Sequence, residues 1–125
     1  MNTLLIEEQL PSLNQYQSAC RSHWSKGADF KKNVEKTIGV YIRIALLKKY
    51  LRRVEGPCEI FIEWHEKTKK QDCDNIQSAQ KFILDSLQQC GIIKNDSRKY
   101  VKQIHHKVVD DVRDFVIVEI KEEVK

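Results

Sequence analysis

Hydrophobic residues fall along this chain in two rhythms. Between residues 29 and 53, Phe30, Val34, Ile38, Tyr41, Ile42, Ala45 and Leu46 recur at steps of three and four, with lysines and arginines between them. That spacing lays apolar side chains along one face of a helix, and its last turn, "KKYLRR", sets cations where the helix dipole favours them. In "PCEIFIEWHE", residues 57–66, Cys58, Ile60, Ile62 and Trp64 alternate with Glu59, Glu63 and His65, which predicts a strand buried on one side. The helical step returns over 74–89 and stops at Gly91, a residue suited to a helix C-terminus. Further strands are predicted over 3–10, 99–108 and 115–120, with Asp110 and Asp111 turning the last two into a hairpin. "LPSLNQYQSA", from Leu10, reads as irregular from its proline, serine and asparagine. Gly56-Pro57 reads as a loop, and residues 121–125 as a frayed tail.

The order β-α-β-α-β-β predicts a single α+β domain over residues 1–125. Its mixed sheet has about four strands, and two main helices pack on it. Composition supports this without adding to it: 41% hydrophobic and 32% charged residues in 125 are those of a globular chain with one core. The formal charge of +4 permits a polyanionic partner but does not demand one. "MNTLLIEEQL" lacks the basic start of a signal peptide, and no apolar run is long enough to span a bilayer. Cys20, Cys58, Cys73 and Cys90 form no C-x-x-C pair and are expected to be reduced and mostly buried.

Candidate chemistry begins at "KKQDCDN", where Asp72 and Asp74 follow Lys67, Lys69 and Lys70. At about 100° per residue, Ile76, Ala79, Ile83, Leu87 and Cys90 face away from Asp74, while Ser78, Lys81 and Asp85 share its stripe. A solvated face explains that stripe, with Lys81 and Asp85 as an i,i+4 pair and Asp74 as an N-cap. The next segment adds Asp96. A chain that turns back at Gly91 would bring it beside Asp72 and Asp74. Three carboxylates at one point need a cation, and an oxygen-only set favours Mg²⁺ or Mn²⁺ over zinc. His105 and His106 point to opposite faces of a strand and cannot easily share an ion. Trp24 and Trp64 suit a core or an interface better than base stacking.

"DCDNIQSAQKFILDSLQQCGIIKNDSRKYV" resembles the core motif of the RusA family of Holliday junction resolvases, endonucleases of bacteria and their phages. That motif runs Asp-x-Asp-Asn, a helix lysine, Leu or Phe-Asp with a small residue and Leu, Gly and two apolar residues, then an Asp doublet. The chain supplies Asp72, Asp74 and Asn75, then Lys81, Leu84-Asp85-Ser86-Leu87, Gly91-Ile92-Ile93 and Asn95-Asp96. "LPSLNQY" is similar to the family's N-terminal Pro-Ser-x-Asn-x-Tyr segment. Two departures stand out. Asn95 replaces the first Asp of the doublet, leaving a carbonyl that could bind or orient a water. Lys81 lies seven residues after Asp74 instead of four, on the same helix face but about 4.5 Å further along the axis.

The resemblance implies a cytoplasmic enzyme of a bacterial host, or one encoded by a phage. It would be a homodimer that cuts four-way DNA junctions by paired symmetric nicks. Mg²⁺, with Mn²⁺ as a substitute, would be held by Asp72, Asp74 and Asp96 and assisted by Lys81. DNA contacts would come from Asn14, Tyr16, Asn75, Lys67, Lys69, Lys70, Arg98, Lys99 and Lys102. Exposed apolar residues of the long helix or an edge strand would form the dimer interface. A branched-DNA-binding module of the same fold that does not cut is the alternative.

Overall fold

The computed structural model describes residues 2–22 and 24–123, the side chain of Trp24 excepted. In chain order the elements are β1 (Thr3–Ile6), α1 (Leu13–Ser22), α2 (Trp24–Leu47), β2 (Cys58–Glu66), α3 (Cys73–Gln77), α4 (Gln80–Gln89), β3 (Val101–Asp110) and β4 (Phe115–Glu122). The strands form one mixed sheet in the order β1-β4-β2-β3. In it β4 is antiparallel to β1 and β2, and β3 is parallel to β2. This is the α+β architecture that the element order predicts.

Alternation decides which face of the sheet is covered. Cys58, Ile60, Ile62 and Trp64 are at most 1% exposed. Val116, Val118 and Ile120 of β4 and Leu4 and Ile6 of β1 join them in one core. Against this face pack Val34, Ile38, Ile42 and Ala45 of α2 and Phe82, Ile83 and Leu87 of α4. Trp64 is therefore core, as its place in the alternation requires; the side chain of Trp24 lies outside the described residues. No described helix is long and apolar enough to cross a membrane.

Several elements differ from the sequence reading, each for a local reason. The segment read as irregular is α1, started by a capping box. The Gln15 N–H donates to Ser12 Oγ at 3.3 Å, and the Ser12 N–H donates to Gln15 Oε1 at 2.8 Å. The long helix ends at Leu47, not Arg53, because Lys49 takes a left-handed φ of 62°. The N–H groups of Lys49 and Tyr50 then close back on the carbonyls of Leu46 and Ala45. The cations of "KKYLRR" thus follow the helix instead of forming its last turn.

The helix predicted over 74–89 breaks at Ser78–Ala79, where Ala79 and Phe82 donate to carbonyls only three residues back, Ile76 and Ala79. Gly91 closes α4 as expected, with φ 73°. No β3–β4 hairpin forms, since β2 lies between those strands. The sequence favoured a hairpin because Asp110-Asp111 marks a turn locally, while strand partnership is decided by the whole sheet. Strand β4 runs through Glu122, and the Glu123 N–H donates to the Pro57 carbonyl at 2.9 Å, where fraying was expected from residue 121. All four cysteines are free, but only Cys58 is buried; Cys20 and Cys73 are exposed.

Candidate functional site

Joining β2 to a parallel β3 requires a crossover that carries the chain from the carboxyl end of one strand back to the amino end of the next. Here α3 and α4 are that crossover, and they separate the candidate residues into two groups.

At the carboxyl end, the loop after Glu66 carries the basic run and leads into α3. Asp72 holds the N-cap position, yet its side chain makes no capping bond; its carbonyl accepts the N–H groups of Asn75 and Ile76. Among the described residues the Asp74 carboxylate accepts only the N–H of Asn75, at 2.9 Å on Oδ1. Both carboxylates are exposed, and Asp72 has no side-chain partner among the described residues. The geometry of this turn comes from Asn75. Its Nδ2 donates to Gln71 Oε1 at 2.6 Å, and its Oδ1 accepts the N–H of Asn14 at 3.2 Å. Asn75, expected to touch DNA, uses its amide to tie the acidic turn to the start of α1. Asn14 takes part through its backbone.

Lys81 is not the partner of Asp85. That carboxylate pairs with Lys31 of α2 at 3.2 Å, while Lys31 also lies 3.8 Å from Glu35. The hydrogen bond that Lys31 donates to Asp85 holds its ammonium pKa above the usual value. Lys81 is exposed and has no ion-pair partner among the described residues. Lys69 lies 3.8 Å from Asp110, a pair exposed on both sides. The ammonium groups of Lys67 and Lys70 have no partner among the described residues. Tyr16 stacks parallel to Phe30 at 5.9 Å and tilts against Phe82 at 5.5 Å, so it braces α1 against α2 and α4.

Asp96 lies at the other end. The Ile92 carbonyl accepts the Val54 N–H and the Tyr100 carbonyl accepts the Cys58 N–H, each at 2.8 Å, which fixes the 92–100 loop beside the amino end of β2. Both crossover helices, α3 and α4, lie between Asp74 and this loop, and among the described residues Asp96 joins no group of three possible ligands. The expected approach of Asp96 to Asp72 and Asp74 therefore does not occur within one chain, because the crossover has already carried it away. Its carboxylate has no partner among the described residues. Asn95 spends its carbonyl on the Ser97 N–H at 2.9 Å. Lys99 lies 5.5 Å from the Tyr100 ring centre. Arg98 and Lys102 are exposed, without partners among the described residues.

For a hard divalent cation, the donor chemistry fits and the single-chain arrangement does not. Exposed, uncommitted carboxylate oxygens are the right ligands, but among the described residues no three His, Cys, Asp or Glu side chains gather to hold an ion. The histidines serve other ends. The Trp64 indole N–H donates to His106 Nδ1 at 3.0 Å, so His106 Nε2 carries the proton and donates to Gln80 Oε1 at 2.6 Å. Burial pushes the His106 pKa down. His105, on the opposite face, meets Glu59 at 2.8 Å. Sequence reasoning missed Gln71 and Lys31, whose partners lie on other elements or in an irregular loop where periodicity carries no signal.

These features define a small α+β domain with uncommitted carboxylates and cations at both ends of its crossover, a surface suited to a phosphodiester polyanion. The family model of endodeoxyribonuclease RusA matches residues 7–121. The chain belongs to that family, and it is a nuclease by family. No curated protein matches it.

Proposed function

We propose that this protein resolves four-way DNA junctions by paired symmetric nicks, acting as a homodimer with Mg²⁺, or Mn²⁺ in its place. One observation carries the reading: in a chain of an endodeoxyribonuclease family, Asp72, Asp74 and Lys81 stand exposed at one end of the crossover without ion-pair partners among the described residues. Lys81 would offset the charge that grows on a phosphate oxygen during cleavage. Lys67, Lys69 and Lys70 would hold the adjoining backbone, each phosphate contact adding to the salt dependence of binding. A divalent cation at the carboxylates would supply Lewis-acid activation of the phosphodiester and of the attacking water. The enzyme would act in the cytoplasm of a bacterial host, carried by the host or by a phage.

The separation of Asp96 supports the dimer. Edge strand β3 offers an unpaired backbone ladder. A two-fold axis beside it would lay the carboxyl end of one copy against the amino end of the other. Each composite site would then combine Asp72 and Asp74 of one copy with Asp96 of the second, and two such sites would make two symmetric cuts. The same separation favours one rival, a monomer that binds branched DNA without cutting it.

Incubating the protein with a synthetic four-way junction and Mg²⁺ tests the reading. Paired nicks in opposing strands are expected, with linear duplex left intact. Asp72→Asn and Asp74→Asn should abolish cutting and retain junction binding. Cleavage surviving in both variants would remove these carboxylates from the reaction, and binding without cutting by the unaltered protein would establish the rival.

A further inference from the structure

One helical turn from Asp74, a cavity of about 120 Å³ lies among Leu13, Tyr16, Lys31, Ser78, Lys81 and Phe82. It sits where the crossover helix breaks: Ser78 still donates its N–H to the Asp74 carbonyl at 3.1 Å, and in the tightened turn that follows Phe82 donates its N–H to the Ala79 carbonyl and is buried. Leu13 and the rings of Tyr16 and Phe82 make its walls apolar. The rim is polar. The Ser78 hydroxyl donates to the Asn75 carbonyl at 2.6 Å, leaving its oxygen able to accept, and Lys81 adds a free ammonium. Lys31, on the third side, is held by Asp85.

We infer that this cavity receives one unstacked nucleobase of the bound DNA, adjacent to the phosphate that Asp72 and Asp74 face. The inference rests on the reading of DNA as the ligand. At about 120 Å³ it is smaller than the apolar cavities of about 150 Å³ that hold benzene, so it admits the leading edge of a six-membered ring through its mouth and leaves the rest of the base outside. Its chemistry is right as well: the apolar lining of Leu13, Tyr16 and Phe82 takes the entering ring, while a hydroxyl oxygen and an ammonium at the rim meet its polar groups. A bare phosphate would gain nothing from such walls, and a wholly apolar ligand would strand the lysine at the mouth. Free Lys81 beside the opening complements the backbone phosphates of the same nucleotide. A branched substrate suits the cavity because bases at a branch point unstack at lower cost than those within a duplex.

The test is a binding titration of the unaltered protein, in EDTA so that nothing is cut, against four-way junctions carrying a single abasic nucleotide. The abasic position is stepped along each strand past the branch point. One position should weaken binding about tenfold, about 1.4 kcal/mol, within the range of one base stacked on aromatic side chains. Leu13 is 41% exposed, so Leu13→Trp can fill the cavity from its mouth. That variant should bind the intact junction about tenfold more weakly and lose its response to the abasic position, while Leu13→Ala keeps it. A flat abasic scan with the unaltered protein would overturn the inference whatever the variants do, as would a Leu13→Trp response equal to that of the unaltered protein. A positive scan without cleavage would retain the pocket and discard the nuclease reading; cleavage with a flat scan would do the reverse.

Discussion

At the scale of the residue, Asp85 has two lysines within reach of its position, and the fold decides between them. Lys81 is four residues away on the same helix, a pairing worth only about 0.3–0.5 kcal/mol when exposed. Lys31 approaches from α2 in a partly buried setting, 36% exposed against 19% for the carboxylate, and takes the contact at 3.2 Å. Removing it should return Asp85 to Lys81. Lys31→Ala is therefore expected to lower junction cleavage about twofold, the factor that a pairing of about 0.5 kcal/mol allows, and adding Asp85→Asn should restore the rate; single-turnover kinetics on both variants checks this. The stripe of Asp74, Lys81 and Asp85 was legible in the sequence, but its pairing was not, because periodicity within one helix says nothing about the cation on the helix beside it.

Glu66 makes a second prediction at this scale. It is 4% exposed at the end of β2 and accepts a hydrogen bond from Gln9 at 3.0 Å. Burial raises its carboxyl pKa above the ordinary value of 4.5. A raised folded value contributes stability that is fully present below the unfolded pKa and is lost as pH rises through the folded one. Glu66→Gln carries no charge at any pH and keeps the acceptor. It should match the unaltered protein at pH 4 and melt at a higher temperature at pH 8, as thermal unfolding at both pH values would show.

Among the elements, the alternating strand over 57–66 and the helical stripe of α2 were the most legible, because each repeats a burial pattern many times. Helix α1 has one legible signal, Ser12 and Gln15 three apart, the spacing of a capping box, and Pro11 beside them points instead to irregular chain. Ser12→Ala removes one half of that box and should cost about 1 kcal/mol, read as a lower urea midpoint with unchanged slope. The break at Ser78–Ala79 carried no comparable signal. Neither residue forbids a helix, and the break separates a segment that meets α1 from one that meets α2.

For the whole molecule, a linear motif and a three-dimensional site proved to be different things. Asp72, Asp74, Lys81 and Asp96 are easily read as one group along the chain, yet a parallel crossover places the last at the far end of the sheet. Nothing short of the strand order reveals this, and an apparent β3–β4 hairpin hid the crossover. The composite reading predicts complementation. Asp72→Asn and Asp96→Asn proteins, each inactive alone, should recover nicking when mixed under conditions that exchange subunits. A mixed dimer keeps one site with all three carboxylates only if they come from different copies. The mixture should also bind one Mn²⁺ per mixed dimer, about half an ion per dimer overall when exchange is random, measured calorimetrically, where either parent binds none; a silent mixture would place the three outside a shared site.

The approach of α1 to α2 has a chemical corollary. A Cβ at Gly27 would lie 2.5 Å from Cys20 Sγ, so a missing side chain on one helix makes room for a thiol on the other. Sulfur can grow without mutation. Alkylation or mixed-disulfide formation at the exposed Cys20 would drive a wedge into this seam, as Gly27→Ala would from the opposite side. The neighbouring turn of α1 carries Tyr16, and with it a wall of the cavity beside Asp74. A group added to that one sulfur would therefore press on the seam that seats Tyr16 against Phe30.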